Sequence, residues 1–119
     1  MRRTLTLVAA MVALAGGCGT GGADGGDAGA QRGEQLFTAN CAVCHGPEGQ
    51  GTTVGPPLVH EIYEPGHHPD DAFHRAVSDG TPAHHWNFGD MPPVAGLDSD
   101  EVDDIIAWVR QQQRDAGIG

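Results

Sequence analysis

The chain contains no lysine. Its six basic residues are all Arg, set against 16 Asp plus Glu, for a formal charge of −10. Binding free nucleic acid needs clustered positive charge to displace counterions from phosphates, so that class of partner is excluded. Large apolar side chains are also scarce, with two Trp, one Tyr and three Phe in 119 residues, whereas Gly (19) and Pro (8) are plentiful. A chain this short has room for one domain. With so thin a core, such a domain is usually held together by disulfides, a metal or a cofactor. Three Cys are too few for a disulfide framework. No apolar run reaches the roughly 20 residues of a membrane span. No segment alternates convincingly as a strand, and no internal repeat is visible.

The N-terminus reads as an address. Arg2 and Arg3 precede the uncharged, mostly apolar run Leu5 to Ala15, which fits a secretory signal. The run ends in Ala15-Gly16-Gly17-Cys18. Small residues directly before a Cys resemble the lipobox of bacterial lipoproteins. That resemblance implies removal of residues 1–17, lipid on Cys18 and export to a bacterial membrane, facing the periplasm or the cell exterior. The alternative is an ordinary signal peptide cut nearby, with Cys18 a leftover thiol. Several acyl chains on one residue would anchor stably, unlike a single one. Residues 18–29 are Gly-rich and read as a flexible tether, with a reach of roughly 20 Å. Without residues 1–17 the chain keeps four Arg against 16 acidic residues, a net −12.

Residues 30–119 read as one all-α domain with few helices and long loops. A short helix is predicted from Gln31 to Ala42, with a short apolar stripe at Leu36, Phe37 and Val43. Pro69-Asp70-Asp71 opens another, which Gly80 closes. Asp98 and Glu101 form a capping-box pattern. Val102, Ile105, Ile106 and Val109 follow at i, i+3, i+4 and i+7. That last helix is predicted to end near Arg114.

Cys41-Ala42-Val43-Cys44-His45 is the strongest chemical signal. C-x-x-C-H is the attachment pattern of c-type haem. Two thiols three residues apart on a helical turn reach two vinyl groups on one side of a porphyrin, and the adjacent His lies under the iron. A thioredoxin-like reading needs a preceding strand and a βαβ unit. A zinc site needs four ligands, and no second Cys pair exists. A Cys41–Cys44 disulfide closes too short a loop to stabilise much.

Residues 30–117 resemble a class I monohaem, His/Met-ligated cytochrome c. The resemblance rests on CxxCH, on Gly33 and Phe37 at four-residue intervals before Cys41, on Ile105 and Trp108, on Gly55-Pro56-Pro57-Leu58, and on the Met91 loop. It implies a small cytochrome c fold of three to four helices around one haem c, bound through thioethers at Cys41 and Cys44. His45 would be one axial ligand and Met91, in Gly89-Asp90-Met91-Pro92-Pro93, the other. Gly33 and Phe37 would pack on the C-terminal helix. The Pro56 carbonyl would accept from His45 Nδ1, and Leu58 would line the haem pocket.

Met91 is the only Met beyond residue 17. A thioether ligand raises the reduction potential. Trp86 and Phe88 are expected against the haem, with the Trp86 indole N–H donating to a propionate. His67, His68, His74, His84 and His85 are read as surface and haem-rim residues; the sharper alternative is a second metal site, for copper as an example, and a milder one is that His84 or His85 replaces Met91 under some condition.

The expected function is single-electron transfer by a tethered, exported cytochrome. Saturated ligation leaves no substrate position, so the chain is read as a carrier, not an enzyme. The acidic balance points to redox donors and acceptors with basic docking patches. The alternatives are a haem peroxidase or gas sensor with a labile Met91, or a His-rich metal-binding protein.

Overall fold

The computed structural model describes residues 24–119, with side chains from residue 28 onward. The signal segment, Cys18 and the first part of the tether lie outside the described residues. Four α-helices follow in order: α1 Asp24–Asn40, α2 Ala42–His45, α3 Asp70–Asp79 and α4 Ser99–Asp115. A 3-10 turn, Glu61–Tyr63, interrupts the loop between α2 and α3. Among the described residues the only bridge outside helices is the antiparallel pair Thr81 and Met91. The all-α architecture read from the sequence is the one observed.

The last helix is built as its sequence directs. Asp98 Oδ1 accepts from the Glu101 amide at 2.9 Å, and Glu101 Oε2 accepts from the Asp98 amide at 3.1 Å. A cap of this kind stabilises by about 1 kcal/mol. The apolar stripe Val102, Ile105, Ile106 and Val109 is buried, together with Trp108.

α1 crosses α4 at close range. A side chain at Gly33 would collide with the backbone carbonyl of Asp104 and approach the Trp108 Cβ, so only glycine lets the two helices meet there. One turn on, the Phe37 ring lies on Trp108 with centroids 4.4 Å apart. Phe37, Ile105, Trp108 and Val109 form the buried core, with Leu36, Leu58, Phe73 and Leu97 packed around them.

Two boundaries differ from the sequence reading. α1 starts at Asp24, inside the Gly-rich segment assigned to the tether, and well before Gln31. Gly in a helix costs about 1 kcal/mol relative to Ala, but packing on a neighbouring helix outweighs propensity. Gly29 illustrates the compensation, since a Cβ there would sit 3.0 Å from Asp104 Oδ1. At the other end, the helix breaks at Cys41 and resumes as α2. The hydrogen-bond ladder carries across the break, with the Cys41 amide donating to the Phe37 carbonyl (2.8 Å) and the His45 amide to the Cys41 carbonyl (3.0 Å).

Arg110 and Gln113 continue the buried face of α4 as polar residues. The Arg110 guanidinium donates to Asp70 Oδ1 (2.9 Å), to the carbonyls of Tyr63 and His68 (2.6 Å each) and to Gln113 Oε1 (2.8 Å). Gln113 Nε2 donates to the carbonyls of Leu58 (2.9 Å) and Tyr63 (3.0 Å). These two side chains satisfy loop carbonyls that no helix or sheet would reach. They thereby fix the long 46–69 segment against α4.

Candidate haem site

A cavity of about 550 Å³ opens between the Cys41–His45 turn, the 46–69 loop, α3 and the Met91 loop. Its volume is in the range of small-molecule and cofactor sites. Phe37, Leu58, Phe73, Val77, Ile105 and Val109 give it an apolar wall. Cys41, His45 and Met91 line it as well, so one thiol, one imidazole and one thioether from distant parts of the chain meet at a single apolar space.

His45 is buried, and its Nδ1 lies 2.8 Å from the Pro56 carbonyl oxygen. A carbonyl can only accept, so Nδ1 carries the proton and Nε2 is left as a free lone pair. Burial holds the imidazole below its ordinary pKa, and the Pro56 bond offsets this in part. The result is a neutral ring with a fixed tautomer, the form that ligates a metal.

Cys44 is exposed, whereas Cys41 is half-buried and its thiol is pushed up to about 11 by burial, with Cys44 adding to the effect. No disulfide joins them. A thiol held neutral is a poor zinc ligand or disulfide nucleophile. Thr52 Oγ1 donates to the Cys44 carbonyl at 2.6 Å, tying the 46–69 loop to the motif.

Met91 is positioned by its backbone. Its amide and carbonyl pair with Thr81 at 2.9 and 3.0 Å, closing the loop between them. Gly80, at φ 75°, turns the chain out of α3, and a Cβ there would lie 2.5 Å from the Met91 carbonyl.

Trp86 and Phe88 also line the cavity, with Phe88 at its more exposed edge. Trp86 Nε1 is buried and has no hydrogen-bond partner among the described residues. A buried orphan donor costs about 1–3 kcal/mol unless something accepts from it. Burial raises the Tyr63 phenol above its ordinary pKa. An acceptor entering the cavity, such as a carboxylate, would satisfy Nε1. The apolar wall, the neutral imidazole, the thioether and this orphan donor together fit a haem with propionates.

The five histidines separate into two groups. His74 Nε2 pairs with Asp103 Oδ1 at 2.8 Å, away from the others. His67, His68, His84 and His85 come together at the cavity rim. The haem-rim position expected for these two pairs is the one observed, whereas no role was legible in the sequence for His60, Arg110 or Gln113. His60 Nδ1 caps the 3-10 turn by accepting from the Ile62 amide at 3.1 Å.

An all-α fold with a CxxCH turn opening on such a cavity defines a haem-binding domain of the c type. The chain belongs to the cytochrome c family, whose pattern it matches over residues 30–113. No curated relative and no solved structure matches it significantly. The family carries covalent haem c, Cys41 and Cys44 stand in its CxxCH arrangement, and its work is haem-based electron transfer.

Proposed function

We propose that this cytochrome is a His/Met-ligated electron carrier, tethered by lipid on Cys18 to a bacterial membrane outside the cytoplasm. His45 and Met91 would hold the iron, Cys41 and Cys44 would carry the thioether links, and Trp86 would donate to a propionate. The observation that carries this reading is the pairing of two ligand types at one cavity. His45 offers a lone pair fixed by Pro56, and Met91 is held by the Thr81 backbone pair. When bound, the haem supplies one-electron chemistry at iron. The chain excludes water with Phe37, Leu58 and Ile105 and holds both ligands in place through either oxidation state. With both axial sites filled the protein carries electrons and binds no substrate.

Donor and acceptor are redox proteins with basic docking patches, drawn by the net −12 of the processed chain. Val43 and Val54, both strongly exposed and flanking the Cys44 turn, give them a small apolar contact. Electron-transfer interfaces are of this small, transient kind. The basic n-region, the apolar run and the Cys after small residues support the exported, lipid-anchored state.

The optical spectrum of the oxidised protein tests the ligation. A far-red band from Met sulfur to ferric iron is expected. Met91→Leu should abolish it and lower the midpoint potential, because thioether ligation favours ferrous iron. A high-spin spectrum without that band in the unaltered protein would refute the carrier reading and favour a peroxidase or gas binder.

A further inference from the structure

The sequence pairs His67-His68 and His84-His85 lie on two different loops, one entering α3 and the other between Gly80 and Met91. The fold brings them face to face. Ring centroids are 5.1 Å apart for His67 and His85, 5.1 Å for His68 and His85, and 4.3 Å for His84 and His85. One ligand nitrogen from each of His67, His68 and His85 lies within 4.8 Å of the others.

The hydrogen bonds fix how two of these rings are protonated. His68 Nδ1 is 2.6 Å from the Ile62 carbonyl oxygen, and His84 Nδ1 is 2.8 Å from the Pro82 carbonyl oxygen. Each Nδ1 must therefore donate, which leaves each Nε2 of the neutral rings as a bare acceptor. These two Nε2 atoms stand 3.5 Å apart. Two lone pairs directed at one another repel unless a cation lies between them. Imidazole nitrogens bind zinc at about 2.0–2.1 Å, so two tetrahedral ligands are separated by roughly 3.3–3.4 Å. The observed spacing matches. An Nδ1–H held by a backbone carbonyl is also the arrangement that orients metal-bound histidines.

We propose that His67, His68, His84 and His85 form a second metal site, at the rim of the haem cavity, for one imidazole-preferring first-row divalent cation of the zinc or copper kind. His67, His84 and His85 are exposed, so the ion enters from solvent. The Arg110 guanidinium is held on the carbonyl side of His68 by its own hydrogen bond. None of its four ligands is His45 or Met91, the pair proposed for the haem iron.

The test is zinc uptake by the holocytochrome at neutral pH in chelator-stripped buffer, with the oxidised spectrum recorded alongside. One zinc per chain is expected, with the far-red region of the spectrum unchanged. His68→Gln and His84→Gln should each weaken uptake by at least about 10-fold. His74→Gln, outside the cluster, should bind as the unaltered protein does, and circular dichroism checks that each variant is folded. The proposal is overturned by no stoichiometric uptake, the result expected if the rings hold a proton or only bond haem propionates. Equal uptake in the His68→Gln and His84→Gln proteins, or uptake that alters haem ligation, overturns it as well.

Discussion

At the scale of single residues, Gly33 shows how one missing side chain sets an interface. The atom that its Cβ would strike belongs to the backbone of α4, so a neighbouring rotamer cannot swing aside. Gly33→Ala should therefore part α1 from α4 and loosen the Phe37–Trp108 contact. Overpacking of this kind costs about 1–3 kcal/mol. Thermal unfolding of the haem-loaded protein measures it. Gly29→Ala is the comparison, because the atom it meets is a movable carboxylate oxygen, and its melting temperature should change far less. Gly33, Phe37 and Trp108 were legible through the resemblance to cytochrome c, which implies that the Gly and aromatic before CxxCH pack on the C-terminal helix. The Pro56 carbonyl as acceptor from His45 Nδ1 was legible through the same resemblance. The orphan indole of Trp86 is a property of burial, which spacing does not report.

At the scale of elements, α4 divides into a part that its sequence declares and a part that it conceals. The cap and the stripe Val102, Ile105, Ile106, Val109 follow local rules and were readable. Arg110 and Gln113 are on the same buried face, yet polar residues at those positions read as a solvated surface. Their burial depends on the carbonyls of Leu58, Tyr63 and His68, which belong to loops whose path no periodicity encodes. The meeting of the two His pairs was hidden for the same reason. The early start of α1 is a third case, since packing on α4 overrides the poor helix propensity of glycine. Arg110→Met keeps volume but strands the His68 carbonyl and Gln113 Oε1, removes one of the two bonds to the Tyr63 carbonyl, and frees Asp70. We expect a loss of about 2–4 kcal/mol in urea unfolding. Asp70→Asn should cost less, as that carboxylate is well exposed.

At the scale of the whole molecule, charge governs encounter. The described residues hold four Arg and all 16 acidic residues. Small inorganic oxidants of opposite charge isolate this effect from any particular partner. The ferrous protein should react faster with a cationic complex than with an anionic one of similar driving force. That preference should shrink as ionic strength rises from about 10 to 150 mM, where the screening length falls from about 30 to 8 Å. Stopped-flow rates check it, and a preference that is flat with salt would show that the acidic surface does not steer.

The Thr81–Met91 backbone pair has an evolutionary consequence. It splits the loop into a fixed base, which carries Met91, and a tip, which carries His84, His85, Trp86 and Phe88. Once the base is closed, lengthening the tip adds only about 0.6 kcal/mol of closure cost per doubling. The tip is therefore a module that can be rewritten, gaining or losing metal-binding and rim side chains, while the sulfur at its root keeps its place.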